Sequence, residues 1–149
     1  MEFLNTDFLE NKEIKLVVNR LTEENPEKNW VPAYHFFICD KNGTKMGACD
    51  LRVGYNDNVY YGGHIGYEVD EEFRGHHYAE KACLLLFTLA QKHDMDYLYI
   101  TCNPDNLASR KTCENLHGDL LEIAELPEDN DMRAAGESKK CIFKFTFDK

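Results

Sequence analysis

The spacing of hydrophobic residues changes along the chain, and each change marks an element. Ile14, Leu16 and Val18 recur at a period of two over residues 13–21 and predict a first strand. Residues 33–39 (Ala-Tyr-His-Phe-Phe-Ile-Cys) and 45–53 predict two more strands, joined by Asp40-Lys41-Asn42-Gly43-Thr44. That link reads as a hairpin in which Asn-Gly supplies the positive-φ positions. Residues 54–63 read as a second turn region, and His64-Ile65-Gly66-Tyr67-Glu68-Val69 alternates as a fourth strand. The period then becomes helical: Ala82, Cys83, Leu86, Leu89 and Ala90 share one face of a run without Gly or Pro that ends near His93. Residues 96–102 read as a strand, and strand–helix–strand with so long a helix predicts parallel pairing across it. Residues 107–117 predict a short helix closed by Gly118 at its C-terminus, followed by strands at 119–126 and 140–147 around a charged loop.

Two stretches stay outside this scheme. Residues 1–12 form a mixed, acidic leader with a short helical turn. Residues 22–32 hold two prolines and the only Trp, and are too short for two helices. The order ββββαβαββ belongs to the α+β class, with an α/β-like centre.

A length of 149 residues makes residues 1–149 a single domain with a sizeable core. The net charge of −10, from 17 basic and 27 acidic residues, argues against a nucleic-acid or anionic-membrane partner and favours cationic partners such as amines. No run approaches the roughly 18 apolar residues of a membrane span, and none has a signal-peptide pattern. Cys39, Cys49, Cys83, Cys102, Cys113 and Cys141 are scattered without a Cys-x-x-Cys. They read as buried free thiols of a reducing, cytoplasmic compartment. No His, Cys and acid spacing suits zinc, so no metal is expected.

The candidate chemistry lies where strand gives way to helix. Arg74-Gly75-His76-His77-Tyr78-Ala79 leads directly into the long helix. A helix's first turn leaves backbone N–H groups unpaired and carries the positive end of its dipole, so this junction suits a phosphate-bearing ligand. A plain surface turn with a solvated Arg74 is the other reading of these residues alone.

Two separated motifs carry a family resemblance. Val69-Asp-Glu-Glu-Phe-Arg-Gly-His-His-Tyr-Ala79 is similar to Val-x-Pro-x-Tyr-Arg-Gly-x-Gly-x-Gly/Ala, and Asn106-x-x-Ser109-x-x-x-Cys113-x-x-x-x-Gly118 to Asn-x-x-Ser-x-x-x-(Tyr or apolar)-x-x-x-Gly. Together, in register, they resemble the GNAT superfamily of acyl-CoA-dependent N-acyltransferases. Within it, the Asn106–Gly118 motif is most similar to the branch that modifies ribosomal-protein N-termini.

The resemblance implies a GNAT fold, a mixed, mostly antiparallel sheet of about seven strands with helices on both faces. It implies acetyl-CoA as cosubstrate, in a cleft where the strand ending at Val69 splays from the strand ending at Cys102. Its pyrophosphate would sit on Arg74, Gly75, His76, His77, Tyr78 and Ala79. The backbone of Glu68 and Val69 would pair with the pantetheine arm, and Asn106 and Ser109 would meet it from the opposite wall. Asn106 also reads as a helix N-cap.

Three departures qualify the match. His77 stands where the family has Gly, Cys113 stands where many members have the Tyr that protonates the leaving thiolate, and residues 22–32 replace the helices that roof the acceptor side. The last implies an open acceptor site, or one completed by a second copy in a homodimer. The implied reaction is direct attack of an amine on the thioester. The acceptor is a small molecule or a protein N-terminus, and Val69 N–H polarises the carbonyl. Glu68 and His64 share a strand face and are the candidate bases, and Cys113 is either a catalytic acid or a buried helix residue. The alternative function is a CoA-binding module without catalysis.

Overall fold

Alternation and helical periodicity place the main elements close to where the sequence puts them. The computed structural model describes residues 1–147, and the last two residues of the 1–149 unit lie outside the described residues. The elements are β1 (Ile14–Thr22), a 3-10 turn (Pro26–Lys28), β2 (Ala33–Asp40), β3 (Lys45–Arg52), α1 (Asp57–Gly62), β4 (Ile65–Val69), a second 3-10 turn (Glu71–Phe73), α2 (Tyr78–Lys92), β5 (Tyr97–Cys102), α3 (Leu107–Asn115), β6 (Asp119–Glu125), α4 (Asp131–Ala134) and β7 (Lys139–Thr146).

The strands form two antiparallel sheets, ordered β1-β2-β3-β4 and β5-β7-β6. The parallel β4–β5 ladder expected across α2 does not form. The two strands are stitched together at their start, where His64 N–H donates to Tyr99 O at 2.7 Å and Tyr99 N–H donates to His64 Nδ1 at 2.9 Å. A ring nitrogen thus takes the place of a backbone carbonyl, and beyond it the strands part into the arms of a V.

Ala82, Cys83, Leu86, Leu89 and Ala90 of α2 are all buried, on the face the sequence predicts. They join Leu16, Phe36, Ile65, Leu98 and Ile100 in one core, and Leu98 and Ile100 tie the second sheet to the first. All six cysteines are free and buried. Among the described residues, no helix is long and apolar enough to cross a membrane.

Within the 54–63 region, read as a turn from the sequence, residues Asp57–Gly62 form a helix. The Asn56 side chain accepts from Val59 N–H, capping α1, and Val59 is buried. Tyr60 of α1 meets Tyr99 edge-on at 5.1 Å, so α1 covers the sheet face opposite α2.

Smaller differences have local causes. A bulge between Val18 and Arg20 carries the end of β1 past the core, leaving Val18 43% exposed. At the hairpin only Gly43 takes positive φ (88°), while Asp40 Oδ1 accepts from the N–H groups of Asn42 and Thr44. After α3 the left-handed residue is His117 (φ 65°), not Gly118. Gly118 answers a packing need, since a Cβ there would lie 2.5 Å from the Phe145 ring.

Candidate functional site

Where β4 and β5 part, a cleft of about 670 Å³ opens between β4, the 73–80 segment, the end of β5 and the first turns of α3. Arg74, Gly75, His77, Tyr78, Ala79, Val69, Asn106 and Ser109 all line it, so the two sequence motifs meet across one space. Among the described residues, no protein group accepts a hydrogen bond from the N–H groups of residues 75–80. They form an unpaired array at the positive end of α2. Arg74 Nε donates to Val69 O at 2.9 Å, folding the guanidinium over the end of β4.

His77 explains its own departure from the motif. It adopts φ 62°, ψ 26°, a left-handed conformation that glycine accepts most readily. Its ring Nδ1 lies 3.3 Å from Glu80 Oε1, and both residues line the cleft. Replacing His77 by Gly is therefore expected to relieve backbone strain and raise stability by up to about 1 kcal/mol, read as an increase in Tm.

The β4 edge offers a second set of unpaired groups. Arg52 N–H bonds His64 O and Asp70 N–H bonds Met46 O, so the even residues of β4 face β3. By antiparallel alternation the backbones of Tyr67 and Val69 face the cleft. The expected pairing through Glu68 is thereby corrected: its backbone belongs to the ladder opposite Ala48. On the far wall Asn106 Oδ1 accepts from Ser109 N–H at 3.2 Å, the N-cap role, which leaves its amide NH₂ without a protein acceptor among the described residues.

Four residues enter that sequence reasoning missed, Asn103, Glu137, Lys140 and Tyr67. Asn103 Oδ1 is buried in the cleft wall without a partner, while its Nδ2 donates to Glu137 Oε1 at 3.0 Å. Lys140 Nζ donates to the same Glu137 oxygen at 3.2 Å. Tyr67 reaches across the cleft so that its hydroxyl sits 2.7 Å from Ser109 Oγ, and burial pushes its phenol well above the usual tyrosine pKa. The alternation of β4 held the signal for Tyr67, on the face opposite Glu68 and His64.

Two expected catalytic residues leave the site. His64 is fully buried against Tyr55 and Tyr99, with Nε2 bonded to Gly54 O at 2.7 Å and Nδ1 accepting from Tyr99 N–H. Burial lowers its pKa to about 4, and its one lone pair is engaged, so it has no means of taking a substrate proton. Cys113 is fully buried in the core and burial pushes its thiol up to about 12, which makes it a packing residue. Glu68 remains. Its carboxylate is exposed at the cleft and forms no ion pair among the described residues. Among those residues no cluster of His, Cys, Asp or Glu could hold a metal ion.

Residues 5–118 match the acetyltransferase (GNAT) domain family. No curated protein matches the chain significantly. Similar solved structures include the acetyltransferase from Salmonella typhimurium that modifies the N-terminal serine of a 50S ribosomal subunit protein, at 21% identity and TM-score 0.58 over 82% of this chain and 67% of that one. RimL, a ribosomal alpha-N-protein acetyltransferase in complex with coenzyme A, matches at 22% identity and TM-score 0.59 over 82% and 65%. The microcin C7 self-immunity acetyltransferase MccE, in complex with acetyl-CoA and AMP, matches at 20% identity and TM-score 0.58 over 77% and 61%. At these identities the likeness is one of fold, and the chain spans 61% to 67% of the length of these structures.

Proposed function

The chain belongs to the GNAT acetyltransferase family, and from that premise we propose that it transfers an acetyl group from acetyl-CoA to a primary amine. The observation that carries the reading is the arrangement of unpaired polar groups around the cleft. Six backbone N–H groups at residues 75–80 suit a pyrophosphate. The edge of β4 suits an extended chain containing amides, and the orphaned Asn103 Oδ1 is an acceptor for an amide N–H, of which pantetheine has two. These donors and acceptors fit CoA in order along its length.

The chemistry asks little of the chain beyond placement and proton handling. A free amine with pKa about 10 is nucleophilic in only about 1 molecule in 1,000 at pH 7, a deficit of roughly 4 kcal/mol. Glu68, directly or through water, removes that proton. The amine nitrogen bonds to the thioester carbon while Val69 N–H polarises the carbonyl oxygen. The C–S bond then breaks as the attacking nitrogen, now cationic, gives up its second proton to water, and Tyr67 gives its phenolic proton to the departing sulfur. Ser109 orients the Tyr67 hydroxyl, and water restores the phenol.

Calorimetric titration tests the binding half. The protein is expected to bind CoA with Kd below about 1 mM, and Arg74→Ala to weaken binding about tenfold by removing charge-assisted contacts. Thiol release from acetyl-CoA with a panel of primary amines tests the transfer half. Absence of CoA binding would overturn the reading, and binding without thiol release would favour a CoA-binding module.

A further inference from the structure

The sheet face opposite α2 is open over the middle of β2, β3 and β4, because the 22–32 connection contributes only the 3-10 turn Pro26–Lys28. At the other end Trp30 and Val31 of that connection and Val59 of α1 line a separate pocket with Arg20, His35 and Arg52. Two rows of side chains cross this face. Strand register sets Arg20, His35, Asp50 and Gly66 side by side in one, and Phe37, Ala48 and Glu68 in the next. Ala48 and Gly66 are small, and the rows enclose a shallow groove of about 290 Å³. Glu68 lines both this groove and the cleft, which makes it the passage between them.

Most polar groups in the groove already have partners. Asp50 Oδ1 accepts from Gly66 N–H at 3.0 Å and from Arg52 Nη1 at 3.1 Å. His35 Nε2 is bonded to Thr22 Oγ1 at 2.8 Å, and burial lowers its pKa, which keeps the ring neutral near pH 7. Two opposite charges remain at the two ends, the Glu68 carboxylate and the Arg20 guanidinium, and neither makes an ion pair among the described residues. They stand on β4 and β1, three strand spacings apart and one row offset, roughly 16 Å apart at the backbone and partly spanned by the Arg20 side chain. An occupant complementary to both has an ammonium at one end and an anion about three to four extended residues away.

Resting on the acetyl-transfer reading, we propose that this groove is the acceptor site and that it takes the N-terminal segment of a polypeptide with an acidic side chain at its fourth or fifth residue. The terminal amine lies at Glu68, where the groove opens into the cleft. The peptide runs across the strands over Ala48 and Gly66, and its acidic side chain meets Arg20. The net charge of −10 opposes an acidic partner at long range, so recognition rests on the local Arg20 contact.

The test measures thiol release from acetyl-CoA with C-terminally amidated hexapeptides that differ only in Glu or Lys at the fourth or fifth place, alongside small primary amines. A Glu peptide is expected to exceed its Lys counterpart about tenfold in kcat/KM, the size of one charge-assisted contact. Arg20→Ala should close that gap and Arg20→Glu should invert it, with circular dichroism checking that both variants fold. Equal rates for the two peptides, or a gap that survives Arg20→Glu, would overturn the proposal. Rapid acetylation of small amines with none of the peptides would overturn it while leaving acetyl transfer in place. CoA binding without thiol release from any acceptor would instead overturn acetyl transfer, and this proposal with it.

Discussion

Replacing His64 by Ala is expected to cost the fold about 4 kcal/mol, a large share of the 5–15 kcal/mol that holds a domain together. The imidazole serves two buried backbone groups, Gly54 O and Tyr99 N–H, and its loss strands both. It also removes a ring packed between Tyr55 and Tyr99. Urea unfolding followed by circular dichroism reads the loss directly, and an unchanged midpoint would show that the apex of the V does not depend on this ring. The same residue sets a pH dependence. Its folded pKa of about 4 lies below the ordinary value of 6.5, so the unfolded chain takes the proton first. Its contribution is whole above pH 6.5 and is lost as pH falls toward 4, by roughly 3 kcal/mol over the window. His64→Ala should flatten this part of the stability profile.

Tyr67→Phe is the second large effect. Removing the hydroxyl keeps the ring and its packing but takes away the proposed proton donor, and kcat should fall about 100-fold, within the usual range for general acid catalysis. CoA affinity should change little, so the split between kcat and Kd separates catalysis from folding. Because burial keeps the phenol protonated, the wild-type rate should show no loss attributable to Tyr67 up to about pH 10. A Tyr67→Phe variant with the wild-type kcat would leave protonation of the thiolate to solvent.

What the sequence conveyed followed the range of its signals. Strands and α2 announce themselves through repeated apolar spacing, and all five predicted core residues of α2 are buried. The turn proposed to bind phosphate was legible because it is local, being a Gly, an Arg and a helix start within six residues. Short elements fail this test. The six residues of α1 hold too little periodicity to rise above a turn, and the Asn56 cap was the only local cue. Contacts between strands are also silent. Placing Glu68 and His64 on one face of β4 was correct as geometry, but the sequence could not convey that Tyr55 and Tyr99 cover one of them and leave the other open. Tyr67 was overlooked because its partner, Ser109, lies 42 residues away. His77 and His117 both occupy left-handed positions where glycine is the usual residue, so conformation there was hidden by identity.

Under the proposed acetyl transfer, the burial of all six thiols has a meaning of its own. An accessible thiolate beside acetyl-CoA would exchange acyl groups with it, since a sulfur nucleophile attacks a thioester at little energetic cost. Cys102 is the thiol that reaches the cleft wall, and it is 5% exposed with its pKa raised by burial. The chain thus withholds its own sulfur from the acyl group. In the proposed reaction the acetyl passes from carrier to acceptor in one ternary complex and never rests on the protein.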